Sequence, residues 1–433
     1  MKTAISVRLR GDVLRGEVQL PLSKSLSNRQ IMMGAQAQCS FEIEGVSEAQ
    51  DTQDLCRTLV QLGYRIAQEK TKWWFIPPRS YPKEVLLYVG EGGTTLRFLL
   101  PWLARLPTRS VVEVGPSLRG RPIAPLLRAM QAAGASLFIP LTTYPLEISG
   151  NPKWRPTNFH IDSTFSSQFL SALFLLAPHL EKGAYIGEES AQPATPAYSE
   201  MTRLLLWQKG WEWHCTTGGW RLERQPLPSS SVAFKGEGDW SAASFFFGWA
   251  ALAGFEGFLP LPLDTLQPEQ KLFTHLKWGY DFSLAPGGLL IRPTEDKLPP
   301  IEADLTDFPD ALIVLTVAAA FAEGPSRLKG IQTLPYKETH RINALAQELR
   351  KVGAEVQVDQ DALVISPTRR KLIEPLFFES HGDHRIAMAL SMIAAKAKAP
   401  LFIVDPHCVL KSFPMYWRVL ESLGAECIFS NGE

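Results

Sequence analysis

The chain has 433 residues, 45% of them hydrophobic and 20% charged, which suits a soluble enzyme of about two to three domains with sizeable cores. Lysine plus arginine and aspartate plus glutamate number 44 each, so the net charge is zero and the broad basic excess of a nucleic-acid binder is missing. The cysteines, Cys39, Cys56, Cys215, Cys408 and Cys427, have neither zinc-knuckle nor redox spacing and read as reduced thiols. Charges come too early in Met1 to Arg10 for a signal peptide, and the apolar run Ala311 to Ala322 is too short to span a bilayer. The expectation is a soluble, cytoplasmic protein with no membrane or nucleic-acid partner.

In chain order, the first element is an alternating run, Glu17 to Leu20, which reads as a strand. It leads into Pro21-Leu22-Ser23-Lys24-Ser25-Leu26-Ser27-Asn28-Arg29. Hydroxyls, a lysine and an arginine at a strand-to-helix junction make either a solvated cap or an anion receptor. In the second case free helix N–H groups and the helix dipole assist, with Arg as a planar fork and Lys as a point charge. The pair Trp73-Trp74 reads as core. Gly90-Glu91-Gly92-Gly93-Thr94-Thr95-Leu96-Arg97 precedes an apolar helix over Phe98 to Leu106. Its glycines let backbone N–H groups approach an anion, although no Walker-type Gly-Lys-Ser/Thr follows. Ser163-Thr164-Phe165-Ser166-Ser167-Gln168 opens a helix over Phe169 to Ala177, with more hydroxyls than a cap needs.

A polar stretch, Gln225 to Ser231, and then Lys235-Gly236-Glu237-Gly238-Asp239 mark a crossover between two halves. Asp307-Phe308-Pro309-Asp310 heads the next apolar helix, with Asp310 either a dipole partner or a catalytic carboxylate. Lys337-Glu338-Thr339-His340-Arg341 predicts a helix running to about Val352, on which Lys337 and Arg341 share a face at i,i+4. This is either an ion-pair ladder or a carboxylate crowded by cations beside a bound anion. His381-Gly382-Asp383-His384-Arg385 heads a helix over Ile386 to Ala395. Two histidines flank Asp383, but no third ligand set accompanies them, so no metal is expected.

A helix, a glycine and a short alternating run recur six times, at Gly63, Gly134, Gly210, Gly279, Gly353 and Gly424. The spacings are about 71, 76, 69, 74 and 71 residues, near one sixth of the chain, which favours an internally repeated α/β fold. Each repeat is too small to bury its faces alone. Three per globule give two similar domains.

Taken together these segments resemble the 5-enolpyruvylshikimate-3-phosphate synthase family, the 3-phosphoshikimate 1-carboxyvinyltransferases. The match runs in order along nearly the whole chain. It takes in Ser23-Lys24-Ser25 to Arg29, Gly93-Thr94 to Arg97, Arg121-Pro122-Ile123, Ser166-Ser167-Gln168 and Glu237-Gly238-Asp239. Pro309-Asp310-Ala311, Lys337-Glu338-Thr339 with Arg341, Asp383-His384-Arg385, Asp405-Pro406 and Lys411-Ser412-Phe413-Pro414 complete it. The resemblance implies an inside-out α/β barrel fold of two domains, each three βαβαββ-type repeats. Residues 23–236 form one domain; residues 1–22 and 237–433 form the other, with the active site in the cleft between them. It implies a monomer that transfers the enolpyruvyl group of phosphoenolpyruvate to the 5-hydroxyl of shikimate 3-phosphate in the shikimate pathway to chorismate and aromatic amino acids. Phosphate leaves by addition and elimination, with no metal, cofactor or covalent enzyme species.

By position, Lys24, Gly93, Arg121, Gln168, Arg341, Arg385 and Lys411 resemble the phosphoenolpyruvate site. Lys24, Ser25, Arg29, Ser166, Ser167, Gln168, Thr195, Tyr198, Asp310, Thr333 and Lys337 resemble the shikimate 3-phosphate site, with Arg29 on the carboxylate and the serines on the phosphate. Asp310 and Glu338 would be the proton-transfer pair, with Lys24 also catalytic. The resemblance also implies that glyphosate occupies the phosphoenolpyruvate site, with Gly93 leaving room for it. Leu22, Glu91, Thr195, Thr333 and His340 depart from the family's usual Gly, Asn, Ser, Asn and Asp. Glu91 is expected to put a carboxylate beside the anion loop. The sister enzymes that use UDP-N-acetylglucosamine carry a Lys-Asn pair and a loop cysteine. Here Ser25 follows Lys24 and no cysteine lies in Val114 to Arg121. A non-catalytic binder of phosphorylated metabolites would be expected to lose Glu338, Asp310 or Lys24, and all three are present.

Overall fold

A computed structural model of the chain describes residues 3–138, 144–190, 193–224, 232–276, 278–294 and 297–430. The stretch Gln225 to Ser231, read above as part of the crossover, lies outside them. The chain divides into two compact units, Leu22–Gly236 and Met1–Pro21 with Glu237–Glu433.

The six marker glycines all have positive φ, from 64° at Gly279 to 110° at Gly424. Only a residue without Cβ enters this region at no steric cost, so glycine closes each helix and turns the chain into a strand. Helices Gln50–Gln61, Ala124–Ala132, Pro196–Trp207, Glu269–His275, Arg341–Arg350 and Tyr416–Ser422 precede them. Five of the strands that follow close a hairpin, such as Trp213–Thr216 with Gly219–Leu222 and Glu355–Asp359 with Ala362–Ser366. The sixth, Ala425–Ser430, pairs instead with the N-terminal strand Ala4–Leu9.

Among the described residues these strands build six four-stranded sheets. Each begins with a parallel pair and continues with two antiparallel neighbours, as in Asn158–Ile161 beside Ala184–Glu188, Gly219–Leu222 and Trp213–Thr216. Two sheets borrow their first strand from far along the sequence. Val232–Lys235 pairs with Phe41–Glu44, and Leu14–Glu17 pairs with Phe255–Leu259. Each crossover between the units thus leaves its last strand behind in the unit it departs from.

Three helices fill the inside of each unit. In the first they are α1 (Lys24–Gln36), α2 (Gly93–Leu103) and α3 (Ser167–Leu176). In the second they are α4 (Trp240–Ala251), α5 (Ala311–Ala319) and α6 (His384–Ser391). Within each unit all three touch one another. Every residue of α2, α4, α5 and α6 is buried, as expected of helices apolar on all sides. Burying each of Phe245, Phe246 and Phe247 contributes about 1.5–3 kcal/mol. Such helices have no side that faces water, and the polar groups used below lie in their first two turns.

Several boundaries differ from the sequence reading. The strand expected at Glu17 to Leu20 ends at Glu17; Leu20 N–H turns back to the Val18 carbonyl just before Pro21. The polar loops ahead of α2, α3 and α6 supply the first turns of those helices, with N-caps Gly92, Ser166 and Asp383. The helix expected from Lys337 begins at Arg341. Leu334–Tyr336 forms a short 3₁₀ turn, Lys337 is extended, and the His340 ring caps the helix by accepting from Asn343 N–H at 3.4 Å. Lys337 and Arg341 therefore do not share a helical face. Trp73 and Trp74 are only half-buried, and their neighbour Phe75 is the core residue of that strand. No helix among the described residues is long and apolar enough to cross a membrane.

Candidate active site

Two polar constellations form at the N-terminal ends of the buried helices, one in each unit. In Leu22–Gly236, Ser23 caps α1, and the Lys24 ammonium lies 2.9 Å from an Asp51 carboxylate oxygen. Asp51 opens the helix Gln50–Gln61, and its carbonyl accepts from the Thr95 hydroxyl in the first turn of α2. Asn28 donates to Thr94 at 3.0 Å and accepts from Thr52 at 2.8 Å. These bonds lock three helix starts together, so Lys24 and Gly93 keep a fixed relation.

Arg29 is 1% exposed. Its guanidinium donates to the Thr202 hydroxyl at 2.7 Å and to the carbonyls of Ser25 and Tyr198 at 2.9 and 3.1 Å, over the face of Phe98. Arg97 donates to Gln168 Oε1 at 2.5 Å and to the Pro122 carbonyl at 2.7 Å. A Cβ placed on Gly93 would lie 3.0 Å from both Arg97 Nη1 and Arg121 Nη2. Two guanidinium groups therefore crowd the bare backbone of Gly93. The buried Tyr144 hydroxyl lies close enough to feel both charges: burial raises its pKa while Arg97 and Arg121 pull it down. Ser166 caps α3 and accepts from Gln168 N–H, with Ser167 buried beside it. Thr195, ahead of the Pro196–Trp207 helix, is held at φ 49°. This strain of about 1–3 kcal/mol for a β-branched residue is of the kind found at ligand clamps.

The second constellation centres on Arg341, also 1% exposed. Asp383 holds its Nε at 2.7 Å and its Nη2 at 3.2 Å. Asp310 holds Nη1 at 2.8 Å, and Glu338 holds Nη2 at 2.9 Å. Asp310 carries two further cations and Glu338 one. Asp310 meets Arg385 at 3.0 Å and Lys337 at 3.9 Å, while Glu338 meets Lys411 at 3.1 Å. Arg385 also donates to the Ser241 hydroxyl at the head of α4, and its backbone N–H goes to Asp383.

Asp310 makes no capping bond to α5; its carboxylate is turned to the cations. Burial alone would raise its pKa, but Arg385, Lys337 and Arg341 outweigh burial and hold it well below the usual carboxylate range. Burial likewise opposes the Arg341 charge, and Asp383, Glu338 and Asp310 more than restore it. The Thr333 hydroxyl is buried with no hydrogen-bond partner among the described residues, an arrangement that leaves an unmet polar group beside the Lys337 segment.

Lys24, Arg29, Gln168, Asp310, Lys337, Glu338, Arg341, Arg385 and Lys411 thus join one or other constellation through these bonds, Gly93 and Arg121 meet beside them, and Ser25, Ser166, Ser167, Thr195, Tyr198 and Thr333 lie nearby in the chain. Sequence reasoning missed Asp51, Thr202, Tyr144 and Ser241 as partners, and Asp383 as the holder of Arg341. Asp383 stood inside a quoted motif, whereas nothing local marked the other four. Glu91, expected as a carboxylate beside the anion loop, has a partner that the sequence did not announce. It accepts from Ser117 N–H at 3.0 Å and from the Ser117 hydroxyl.

Comparison with known proteins sets this geometry in a family. A family model described as EPSP synthase (3-phosphoshikimate 1-carboxyvinyltransferase) matches residues 10–420. The chain belongs to the EPSP synthase family. Among curated relatives, a 3-phosphoshikimate 1-carboxyvinyltransferase of Vibrio campbellii is 31% identical, over 95% of this chain and 97% of its own. One of Dehalococcoides mccartyi is 32% identical, over 95% and 96%. In fold the chain resembles an EPSP synthase of Acinetobacter baumannii, with a TM-score of 0.77, 23% identity and coverage of 99% and 100%. It also resembles the enolpyruvyl transferase NikO of Streptomyces tendae, with a TM-score of 0.75, 16% identity and coverage of 100% of both chains. The family's activity, enolpyruvyl transfer in the shikimate pathway, is this chain's activity.

Proposed function

We propose that the two constellations act on one pair of substrates, shikimate 3-phosphate and phosphoenolpyruvate, and that their residues divide the work as follows. Ser166, Ser167 and Thr195 take the 3-phosphate through hydroxyls and helix-start N–H groups. Arg29 takes the shikimate carboxylate, Ser25, Gln168 and Tyr198 lie alongside, and Lys337 and Thr333 take ring hydroxyls. Lys24, Gly93 N–H, Arg121, Gln168, Arg341, Arg385 and Lys411 enclose the phosphate and carboxylate of phosphoenolpyruvate. Asp310 receives the proton of the attacking 5-hydroxyl. Glu338, paired with Lys411, handles the proton that joins and then leaves the methylene carbon. Lys24 neutralises charge on the departing phosphate.

The observation that carries this reading is the Arg341 cluster. Its carboxylates, Asp310, Glu338 and Asp383, hold the cations Lys337, Arg341, Arg385 and Lys411 in place. Anionic substrates that draw those cations away relieve the pull of Arg385, Lys337 and Arg341 on Asp310 and loosen the ion pairs that hold Glu338. Asp310 then gains proton affinity where the reaction needs it.

The test is phosphate release from phosphoenolpyruvate with alternative acceptors. Release should require shikimate 3-phosphate. Equal release with UDP-N-acetylglucosamine refutes the acceptor assignment, and no release with either refutes the reaction.

A further inference from the structure

Arg121 sits on a short stretch of chain that is tethered at both ends by side chains from one neighbouring segment. Residues 116–119 form a single helical turn headed by Gly115. On the N-terminal side, Glu91 Oε2 accepts from the Ser117 N–H and hydroxyl. The Gly115 N–H also donates to the Gly90 carbonyl at 2.8 Å. A Cβ on Gly115 would lie 2.2 Å from Glu91 Oε1, so the carboxylate rests directly on the backbone there. On the C-terminal side, Arg97 donates to the Pro122 carbonyl, and the Arg121 N–H bonds to the Leu118 carbonyl. Glu91 and Arg97 bracket Gly93, the residue against which the Arg121 guanidinium rests.

We propose that Glu91 is a positioning residue for phosphoenolpyruvate: its bonds to Ser117 fix the Arg121 segment against the Gly93 backbone. This rests on the functional reading above, which places the phosphoenolpyruvate anion at Gly93 and Arg121. The charge of Glu91 is taken up by an N–H and a hydroxyl of the helical turn in charge-assisted bonds. The residue therefore helps to hold the anion site in spite of its sign. A carboxylate that merely faced the site would instead repel the substrate.

The two roles predict opposite signs. If Glu91 is a clamp, Glu91→Ala raises KM for phosphoenolpyruvate by about tenfold, the worth of one charge-assisted hydrogen bond. Turnover at saturation and KM for shikimate 3-phosphate stay nearly unchanged. Glu91→Gln keeps an acceptor oxygen and recovers most of the loss. Ser117→Ala raises the same KM less, because its N–H remains, and the double variant Glu91→Ala/Ser117→Ala is no worse than Glu91→Ala alone. If Glu91 only repels, Glu91→Ala and Glu91→Gln both lower that KM, and the proposal falls. Additive losses at Glu91 and Ser117 also overturn it.

A second measurement needs no substrate. Amide hydrogen exchange of a peptide spanning residues 114–122 should speed up in Glu91→Ala, with peptides of α4 to α6 unaffected. Unchanged exchange there overturns the clamp. A wild-type protein that fails to turn over phosphoenolpyruvate would instead count against the functional reading, and the exchange result would still decide the clamp.

Discussion

Glu338→Gln separates chemistry from binding. The wild-type carboxylate spans two cations, with Oε2 2.9 Å from Arg341 and Oε1 3.1 Å from Lys411. An amide keeps the shape and one acceptor. If the amide oxygen stays on Arg341, the amide NH₂ meets the Lys411 ammonium, and Lys411 is pushed out toward the substrate phosphate. Phosphoenolpyruvate binding is then held or strengthened, while the proton-transfer function is lost. Turnover should fall by roughly 10²–10⁴, or about 2.7–5.4 kcal/mol in the barrier. Lys411→Ala does the reverse at the binding step. It removes one charge-assisted contact of roughly 1.5–3 kcal/mol, so KM for phosphoenolpyruvate should rise by about 10- to 150-fold. Steady-state kinetics with both substrates varied, backed by tryptophan-fluorescence titration, reads the two effects apart. A Glu338→Gln protein that binds phosphoenolpyruvate far more weakly yet turns over normally at saturation would make Glu338 an ion-pair strut and refute the reasoning.

Other expectations follow from the same geometry. Gly93→Ala places a methyl 3.0 Å from the Arg97 and Arg121 guanidinium groups. Arg97 is pinned by Gln168 and Pro122, so Arg121 must give way, and glyphosate inhibition should weaken more than phosphoenolpyruvate KM rises. Equal changes in both would contradict the steric account. Asp383→Asn turns an NH₂ toward the buried Arg341 and removes the charge that neutralises it. The expected loss is roughly 3–5 kcal/mol of stability, seen calorimetrically as a Tm drop of roughly 6–20 °C for a domain of this size. A drop of 1–2 °C would contradict it. His179 is held neutral by burial, aided by the Arg105 charge, with its pKa lowered to about 3. The unfolded chain therefore binds this proton more readily. The contribution is intact above about pH 6.5 and is lost as pH falls toward 3, by about 2 kcal/mol between pH 7 and 5. Denaturant titrations of wild type and His179→Leu at both pH values check the slope, and equal slopes would contradict it.

The repeat was legible because its signal is local. A helix that must turn sharply into a strand calls for a residue at positive φ, and glycine stands there six times. The polar helix starts were legible for a similar reason, since hydroxyls and cations cluster at the ends of helices this apolar. Pairings across long sequence distances were not. Nothing near Asp51 announces that it will hold Lys24, 27 residues away, nor near Ser241 that it will meet Arg385. The Lys337 helix failed because the i,i+4 pattern was real but the His340 cap was unrecognised, and Lys337 and Arg341 meet on Asp310 through a loop. Glu91 was legible only in part, because its charge could be read from the sequence and its Ser117 partner could not.

The most direct test of the proton-transfer account is the fate of hydrogen at the methylene carbon. The reaction is run in deuterium oxide with both substrates, and the product enolpyruvyl group is examined by proton NMR and mass spectrometry. If C3 is protonated and one of three methyl hydrogens is then removed, the product carries deuterium in its =CH₂ group. Glu338→Gln should slow that incorporation in step with turnover. Full turnover with no deuterium at C3 would contradict the account.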